Sequence, residues 1–324
     1  MSEKFDAFLD EFLDMGIPGY DCMICMDGKE IYRRKAGYAD RDNKIPVMGN
    51  ELYNIFSCSK PITCVAALQL WEKGLYQLDD ELCKYMPEFA NMMVKLDDGT
   101  LVPAKQKITI RHLFTMTAGL TYNVDSENIK RGIAETGGIM PTREAMKYIA
   151  CDPLSFEPGS SWLYSLCHDV LGAVVEVASG RSFGEFVKEN IFDPAGMKRS
   201  TFLLPEEELP EISAQYRYDS KSGQYNLCSS QTQICKFGSA YESGGAGLYS
   251  SVEDYSRFAD LHAVQLNDTH PTMAIPELIR LLTEDGVDFT EAFAIAQKTF
   301  RYTNHTVMRE ALECWDLALL NDVA

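Results

Sequence analysis

The chain has 324 residues, 46% of them hydrophobic, so it can bury the core of one large domain or of two smaller ones. Its formal net charge of −18 at pH 7 disfavours binding to nucleic acid phosphates and to anionic membrane surfaces. No run of about 18 apolar residues occurs, and the acidic start MSEKFDAFLDEF lacks the basic and apolar segments of a signal peptide. We therefore predict a soluble, cytoplasmic globular protein with neither nucleic acid nor membrane as a partner.

The ten cysteines are spread along the whole chain. Without an export signal, this distribution indicates reduced thiols rather than a disulfide framework. Cys22 and Cys25 form a C-x-x-C, but they lie in a strand-like run. Residues three apart on a strand point to opposite faces, so we predict no metal or redox pair there and no metal site.

The first predicted elements are a helix and a hairpin. Apolar residues at helical spacing from Phe5 to Leu13 indicate an amphipathic helix. The runs Tyr20 to Met26 and Glu30 to Tyr38 flank Asp27-Gly28, which is a strong signal for a two-residue hairpin turn.

A helix is predicted to begin near Ser59, because Pro61 is tolerated only in a first turn. From Ile62 to Trp71 it is almost wholly apolar, which predicts burial on nearly all sides, and Gly74 ends it. A short helix is predicted from about Ile108 to Gly119, with Thr109 as its cap and the glycine as its end. The apolar segment HDVLGAVVEVAS predicts another helix, which Gly180 ends. A further helix is predicted after the glycine-rich bend ESGGAG, because Ser251 and Asp254 have the spacing of a capping box.

Ser57 and Lys60 stand three residues apart at the start of the buried helix. Their side chains emerge on one face, where a desolvated lysine amine could take the serine proton and backbone N–H groups could stabilise an oxyanion. The spacing alone is weak evidence, since roughly one S-x-x-K is expected by chance in a chain of this size. A helix cap beside a solvated lysine is the alternative interpretation.

The order of the surrounding motifs strengthens the interpretation of Ser57 and Lys60 as a catalytic pair. After the D-G hairpin and S-x-x-K come TIRHLFTMTAGL, FEPGSSWLYS, DVLG, IFDPAGM and GGAGLYSSVEDYSRF. This succession resembles the serine β-lactamase-related family, which holds class C β-lactamases, D-alanyl-D-alanine carboxypeptidases and esterases. The resemblance spans residues 1–262 and implies an α+β fold with a β-lactamase/transpeptidase-like helical body.

The resemblance implies a role for each of three residues. Ser57 would be the nucleophile that forms an acyl-enzyme, Lys60 its base partner and Tyr164 the second proton-relay residue; an ordinary core tyrosine is the alternative for Tyr164. Leu166 stands where family members often have an asparagine, which favours ester cleavage over β-lactam hydrolysis. His112 and His168 lie outside this set and are predicted to satisfy hydrogen bonds.

The family's third motif, K-T-G or H-x-G, is expected on a strand after the glycine-rich bend. Lys236-Phe237-Gly238 precedes the bend instead, so we interpret it as a decoy. The domain at 1–262 is therefore predicted to be incomplete, with its C-terminal strands missing and its antiparallel sheet truncated.

Residues 263–324 resemble an internal piece of the glycogen and starch phosphorylases, through NDTHP at Asn267, YTNHT at Tyr302 and EALE at Glu310. In that family the histidine matching His305 lines a glucosyl pocket beside pyridoxal phosphate. The cofactor lysine and phosphate-binding residues of phosphorylases are absent, so we predict no phosphorolysis and no cofactor. Apolar residues at helical spacing behind an Asp288 cap predict an all-helical tail.

The leading hypothesis is a serine hydrolase that acts through an acyl-enzyme on a small ester or amide, impaired by loss of the third motif. The alternative is a non-catalytic remnant, or a binder of acyl ligands without turnover. A third hypothesis, a carbohydrate-binding module in the phosphorylase-like tail, requires pocket walls that this chain does not supply. The sequence leaves the substrate and the oligomeric state open.

Overall fold

The computed structural model describes residues 3–26, 29–228, 236–259, 264–267, 283, 288–291 and 300–303. Within these ranges the fold is α+β, with helices and several small sheets. The helices are α1 (Glu3–Asp14), α2 (Ser59–Glu72), α3 (Ile110–Phe114), α4 (Glu127–Glu135), α5 (Thr142–Ile149), α6 (Cys167–Ser179), α7 (Phe183–Val187), α8 (Asp193–Ala195) and α9 (Val252–Ala259).

The strands are short apart from the first two. They are β1 (Gly19–Met26), β2 (Lys29–Asp40), β3 (Ile45–Pro46), β4 (Tyr53–Asn54), β5 (Met93–Lys95), β6 (Leu101–Pro103), β7 (Tyr216–Asp219), β8 (Gln224–Leu227), β9 (Tyr249–Ser250), β10 (Val264–Asn267) and β11 (Phe300–Thr303).

Contacts between residues divide the chain into two compact units. The larger unit holds Phe12–Cys22 and Arg34–Arg257 and contains the candidate site. The smaller unit holds Met1–Glu11, Met23–Arg33 and Phe258–Ala324. The predicted domain boundary at residue 262 stays a prediction.

The predicted hairpin strands are confirmed. Strands β1, β2 and β3 are hydrogen-bonded neighbours in that order, and β2 pairs with β3 in antiparallel fashion with Tyr38 opposite Pro46. The predicted turn at Asp27-Gly28 lies outside the described residues. Three two-stranded antiparallel pairs, β4–β9, β5–β6 and β7–β8, complete the sheets of the described part of the larger unit.

The core of the larger unit is centred on α6, whose residues 167–175 are all buried. Helix α2 packs against α6 and buries Ile62, Ala66, Ala67 and Leu70. The prediction that α2 is buried on nearly all sides is wrong, because Leu68 is 38% exposed and Trp71 is 39% exposed. Apolar residues all round a helix show that burial is possible, but they do not identify the packed face.

Helix ends are determined by local hydrogen bonds. Thr109 caps α3 as predicted, with Oγ1 accepting from the His112 backbone N–H while His112 Nδ1 accepts from the Thr109 N–H. The helix ends at Phe114 rather than at Gly119, and Thr115 Oγ1 donates to the Arg111 carbonyl at 3.0 Å. Just beyond it, Met116 adopts a left-handed conformation with φ +54°, and the Thr117 N–H donates to the His112 carbonyl at 3.0 Å, which closes the helix.

The predicted cap of α9 is also confirmed. Ser251 Oγ accepts from the Asp254 backbone N–H at 3.1 Å, which satisfies one of the free donors at the helix start. At the other end of the core, α6 stops at Gly180 with φ +72°, a left-handed conformation that favours glycine.

The tail is not all helical. Val264–Asn267 and Phe300–Thr303 pair as parallel strands, so the prediction is wrong for these residues. Both segments, VQLN and FRYT, alternate apolar and polar residues with the period of a strand, a signal that the helix-spaced apolar residues between them obscured. The predicted start at Asp288 is described, and its Oδ1 accepts from the Thr290 N–H at 2.9 Å; most of the predicted helix lies outside the described residues.

In the part of the chain that the structure describes, no helix combines the length and the apolar composition needed to cross a bilayer.

Candidate active site

A strained turn presents Ser57. The chain leaves β4, passes through a 3₁₀ turn at Phe56–Cys58 and enters α2 at Ser59. Phe56 has φ +44°, a conformation that costs an ordinary L-residue about 1–3 kcal/mol and is retained only where the surroundings enforce it. The turn leaves Ser57 exposed at the helix entrance.

Ser59 fixes this turn against the glycine-rich bend. Its side chain is fully buried, and its Oγ donates to the Phe56 carbonyl at 2.6 Å and accepts from the Leu248 backbone N–H at 3.0 Å. The Ile55 N–H donates to the Leu248 carbonyl at 3.1 Å. Ile55 and Ser59, which flank the turn that carries Ser57, are thus both hydrogen-bonded to Leu248.

Lys60 is 8% exposed and points back toward Ser57. Its Nζ donates to Ser57 Oγ at 3.1 Å and to the carbonyl of Gly245, and it lies 4.6 Å from the centroid of the Tyr164 ring. Among the described side chains no carboxylate lies within ion-pair distance of this nitrogen. The amine therefore contacts a hydroxyl, a carbonyl and a ring face.

Tyr164 completes the cluster from the loop that precedes α6. Its Oη is hydrogen-bonded to Ser57 Oγ, and either hydroxyl can donate. Two backbone bonds anchor the loop, from the Leu163 N–H to the Met116 carbonyl and from the Leu166 N–H to the Thr121 carbonyl, both at 3.1 Å. The structure thus brings together all three residues predicted for the site.

Tyr122 supports Tyr164 from the side. The two rings meet edge to face with centroids 5.3 Å apart, a geometry that aromatic pairs favour. Tyr164 is nevertheless 37% exposed, so its hydroxyl is reachable from solvent.

The bend from Ser243 to Leu248 connects the two core helices. Thr63 Oγ1 on α2 donates to the Gly244 carbonyl at 2.7 Å. From α6, Asp169 Oδ1 accepts from Ser243 Oγ at 2.6 Å. The bend is therefore held between α2 and α6, and it carries the Gly245 carbonyl that receives Lys60.

Neither Asp169 nor the role of the bend was predicted from the sequence. Asp169 lies in the first turn of α6 and is fully buried. Burial raises the pKa of its carboxyl, opposed by the hydroxyls of Ser243 and Tyr241 and by the nearby charge of Lys60. The available signal was an acidic residue in the first turn of a mainly apolar helix.

Leu166 and the two histidines are structural. Leu166 is buried at the N-terminus of α6, so it offers no polar group to the site. His112 closes the α3 cap, as described above. His168 is buried, its Nε2 lies 3.5 Å from the Phe114 carbonyl, and burial lowers its pKa to about 4, so the ring is neutral at neutral pH.

The Lys236-Phe237-Gly238 stretch lies in the core rather than on a strand. Phe237 is 3% exposed and packs against Tyr241 with ring centroids 4.5 Å apart. The next two residues donate backbone N–H groups to the carbonyls of Gly138 and Ile139. The interpretation of this stretch as a decoy agrees with these contacts.

The described residues contain no group of three or more histidine, cysteine or acidic side chains arranged to hold a metal ion. Cys22 and Cys25 lie on β1 as free thiols, and burial together with the charge of Asp21 raises the pKa of Cys22.

A buried lysine and a tyrosine on either side of an exposed serine define a class of protein. Such an S-x-x-K site, at the start of a core helix and outside any histidine triad, belongs to proteins of the serine β-lactamase and transpeptidase type. The chain belongs to the beta-lactamase family, whose family model matches residues 5–306. This match continues past the predicted boundary at residue 262.

The chain is 32% identical over 289 residues to esterase EstB from Burkholderia gladioli, covering 82% of this chain and 71% of that protein. Among solved structures, it is similar to EstCE1, a hydrolase with promiscuous acyltransferase activity, with TM-score 0.63, 26% identity and coverage of 79% of this chain and 70% of that one.

The phosphorylase resemblance is confirmed as a short match. Over 70 residues, 21% of this chain and 7% of the relative, the chain is 53% identical to glycogen phosphorylase 2 from Dictyostelium discoideum.

Proposed function

We propose that this protein is a serine hydrolase that forms an acyl-enzyme at Ser57 with a small ester or amide. The observation that carries the proposal is that one exposed hydroxyl, Ser57 Oγ, is hydrogen-bonded to both Lys60 Nζ and Tyr164 Oη. Each neighbour can exchange a proton with the nucleophile without any movement of the backbone.

In the acylation step, Ser57 Oγ attacks the substrate carbonyl carbon and a C–O bond forms. The serine proton passes to the Lys60 amine, and the carbonyl electron pair moves onto the oxygen as an oxyanion at the start of α2. Collapse of this intermediate breaks the bond to the leaving group. Tyr164 donates the proton that the departing alkoxide or amine needs and recovers its own from Lys60.

In the deacylation step, water attacks the acyl ester on Ser57. Tyr164 and Lys60 accept the water proton, and the serine recovers its hydroxyl proton as the acid product leaves. Tyr164 is half open to solvent, which gives water access to the side of the site where this transfer occurs.

Ester substrates fit the site better than β-lactams. Leu166 stands where the family often has an asparagine whose amide would contact an acyl-amide substrate, and its alkyl side chain is buried. The supporting comparison is esterase EstB, which aligns with 82% of this chain.

A second candidate function is acylation without turnover. It is favoured by the sequence between the bend and residue 324, which contains no K-T-G or H-x-G, the motif that carries an oxyanion donor in the family. Loss of one such donor typically lowers the rate by about 10²–10³. A slow second step would leave Ser57 acylated.

Steady-state hydrolysis of p-nitrophenyl acetate tests the proposal. We expect turnover by the wild type, loss of activity to background in Ser57→Ala, and wild-type activity in Ser222→Ala, a control in the β7–β8 turn whose hydroxyl contacts Asp219. The β-lactam nitrocefin is expected to be a much poorer substrate.

The time course distinguishes the two candidates. A burst of one nitrophenol per chain followed by no turnover indicates the trapped acyl form, and a linear course indicates hydrolysis. Equal rates in wild type and Ser57→Ala would contradict both.

A further inference from the structure

Asp169 is a buried carboxyl close to the site, and the mechanism above does not use it. It has no exposed surface, so it cannot touch a substrate. Its Oδ1 accepts two hydrogen bonds, from Tyr241 Oη at 2.9 Å and from Ser243 Oγ at 2.6 Å. Burying a carboxyl away from water costs free energy, so such a group is retained only where its contacts serve the structure or the site.

The second carboxyl oxygen faces the glycine-rich bend. Oδ2 makes no close hydrogen bond within the described residues, although the Gly245 backbone N–H stabilises the charged carboxylate. It lies so close to Gly245 that a Cβ placed on that residue would be 2.2 Å from it. Glycine is therefore required here for close approach, and the carboxyl defines how near the bend can come to α6.

The same residue of the bend binds the lysine. The carbonyl of Gly245 accepts from Lys60 Nζ, which also donates to Ser57 Oγ at 3.1 Å. A continuous chain of contacts thus runs from Asp169 through Ser243 and Gly245 to Lys60 and Ser57. A shift of the bend moves one of the two acceptors that orient the amine.

We infer that Asp169 is a positioning residue, which fixes the Gly245 carbonyl so that Lys60 Nζ is held beside Ser57. This inference rests on the proposed function for its kinetic consequences, while its structural content is independent of turnover. Misplacement of a catalytic group by about 1 Å can lower the rate about 100-fold.

The kinetic test uses Asp169→Asn, which keeps the shape of the side chain, and Asp169→Ala, with p-nitrophenyl acetate as substrate. We expect kcat to fall by about 10- to 100-fold in Asp169→Ala, with partial recovery in Asp169→Asn, whose amide oxygen can still accept from Ser243 and Tyr241. KM is expected to change little, because Asp169 does not reach the surface. Asp98→Asn, in the exposed β5–β6 turn, is the matched control.

A double-mutant cycle with Gly245→Ala tests the route of the effect. Gly245→Ala alone drives its methyl group into Asp169, whereas in Asp169→Ala the space is free. If Asp169 acts through Gly245, the double variant loses no more kcat than the worse single variant. Multiplicative losses would overturn the inference.

A crystal structure of Asp169→Ala, which removes the carboxyl that anchors the bend, separates this inference from the proposed function. We expect the Gly245 carbonyl to shift and its contact with Lys60 Nζ to lengthen. An unmoved bend with the Lys60–Gly245 contact intact would overturn the inference, whether or not the wild type hydrolyses esters. If the bend is displaced in the variant but the wild type does not hydrolyse esters, only the proposed function is contradicted.

Discussion

Lys60 has surroundings that suit a proton acceptor better than a surface charge. It is 8% exposed, and its Nζ contacts the Ser57 hydroxyl, the Gly245 carbonyl and the Tyr164 ring. This placement brings Nζ within hydrogen-bond distance of the serine hydroxyl whose proton a base must accept.

Substitution of Lys60 tests its role as base. Lys60→Met removes the amine, and Lys60→Arg keeps a positive charge that cannot act as a base. We expect both variants to lose about 10²–10⁴ in kcat for p-nitrophenyl acetate. Retention of more than a third of wild-type kcat in Lys60→Arg would contradict the role of Lys60 as base, and Lys73→Arg, on an exposed lysine just after α2, serves as control.

Helix α7 begins against the buried carboxyl of Glu242 and the half-buried carboxyl of Glu176. Glu176 Oε1 accepts from the Phe183 N–H at 3.0 Å, and Glu242 Oε2 accepts from the Gly184 N–H at 2.8 Å. Burial and, to a smaller extent, the charge of Glu242 raise the pKa of Glu176 to about 7, while the Phe183 N–H opposes the shift. The helix start favours anions, but burial outweighs that preference here.

This arrangement makes stability depend on pH. The folded chain holds the Glu176 proton more tightly than the unfolded chain, whose glutamate has its ordinary pKa near 4.5. The free energy of unfolding should therefore fall as pH rises from 4.5 to about 7 and remain lower above that range.

Urea denaturation at pH 5 and pH 8 measures this effect. We expect Glu176→Gln to lose less unfolding free energy than the wild type between the two pH values, because its side chain does not titrate. Glu72→Gln, at an exposed position at the end of α2, should keep the wild-type difference. An unchanged pH dependence in Glu176→Gln would show that Glu176 is not the titrating group.

Local elements could be predicted from the sequence because their signals are local. The Ser251–Asp254 spacing predicts the cap of α9, and the S-x-x-K spacing places Ser57 and Lys60 on one helix turn. The meeting of Lys60, Asp169 and Gly245 could not be predicted, since these residues are far apart in sequence and nothing local encodes the contact. Likewise, α3 ends at the left-handed conformation of Met116 rather than at the glycine that follows, and a methionine gives no local signal for that conformation.

For the whole molecule, the net charge of −18 should influence substrate approach. An acidic protein attracts cationic substrates and repels anionic ones. Salt screens both interactions beyond a distance of about 10 Å at 0.1 M ionic strength. We expect added salt to lower kcat/KM for a choline ester, to raise it for a succinate monoester, and to leave p-nitrophenyl acetate unaffected. The same salt response for all three esters would contradict this electrostatic account.

The division of the whole chain at residue 262 stays a prediction. The phosphorylase-like motifs suggest a break near residue 262, whereas the beta-lactamase match runs to residue 306 and the smaller compact unit draws segments from both ends of the chain. The order of motifs shows which family each segment of the sequence resembles. The compact units are defined by contacts between residues far apart in sequence, which motifs do not reveal.

Localisation of the covalent adduct tests the central claim most directly. After reaction with a fluorophosphonate probe, peptide mass spectrometry should find the phosphonyl group on Ser57, with labelling strongly slowed in Lys60→Met and Tyr164→Phe. Attachment to another side chain, or equal labelling rates in wild type and in both variants, would contradict a nucleophile activated by Lys60 and Tyr164.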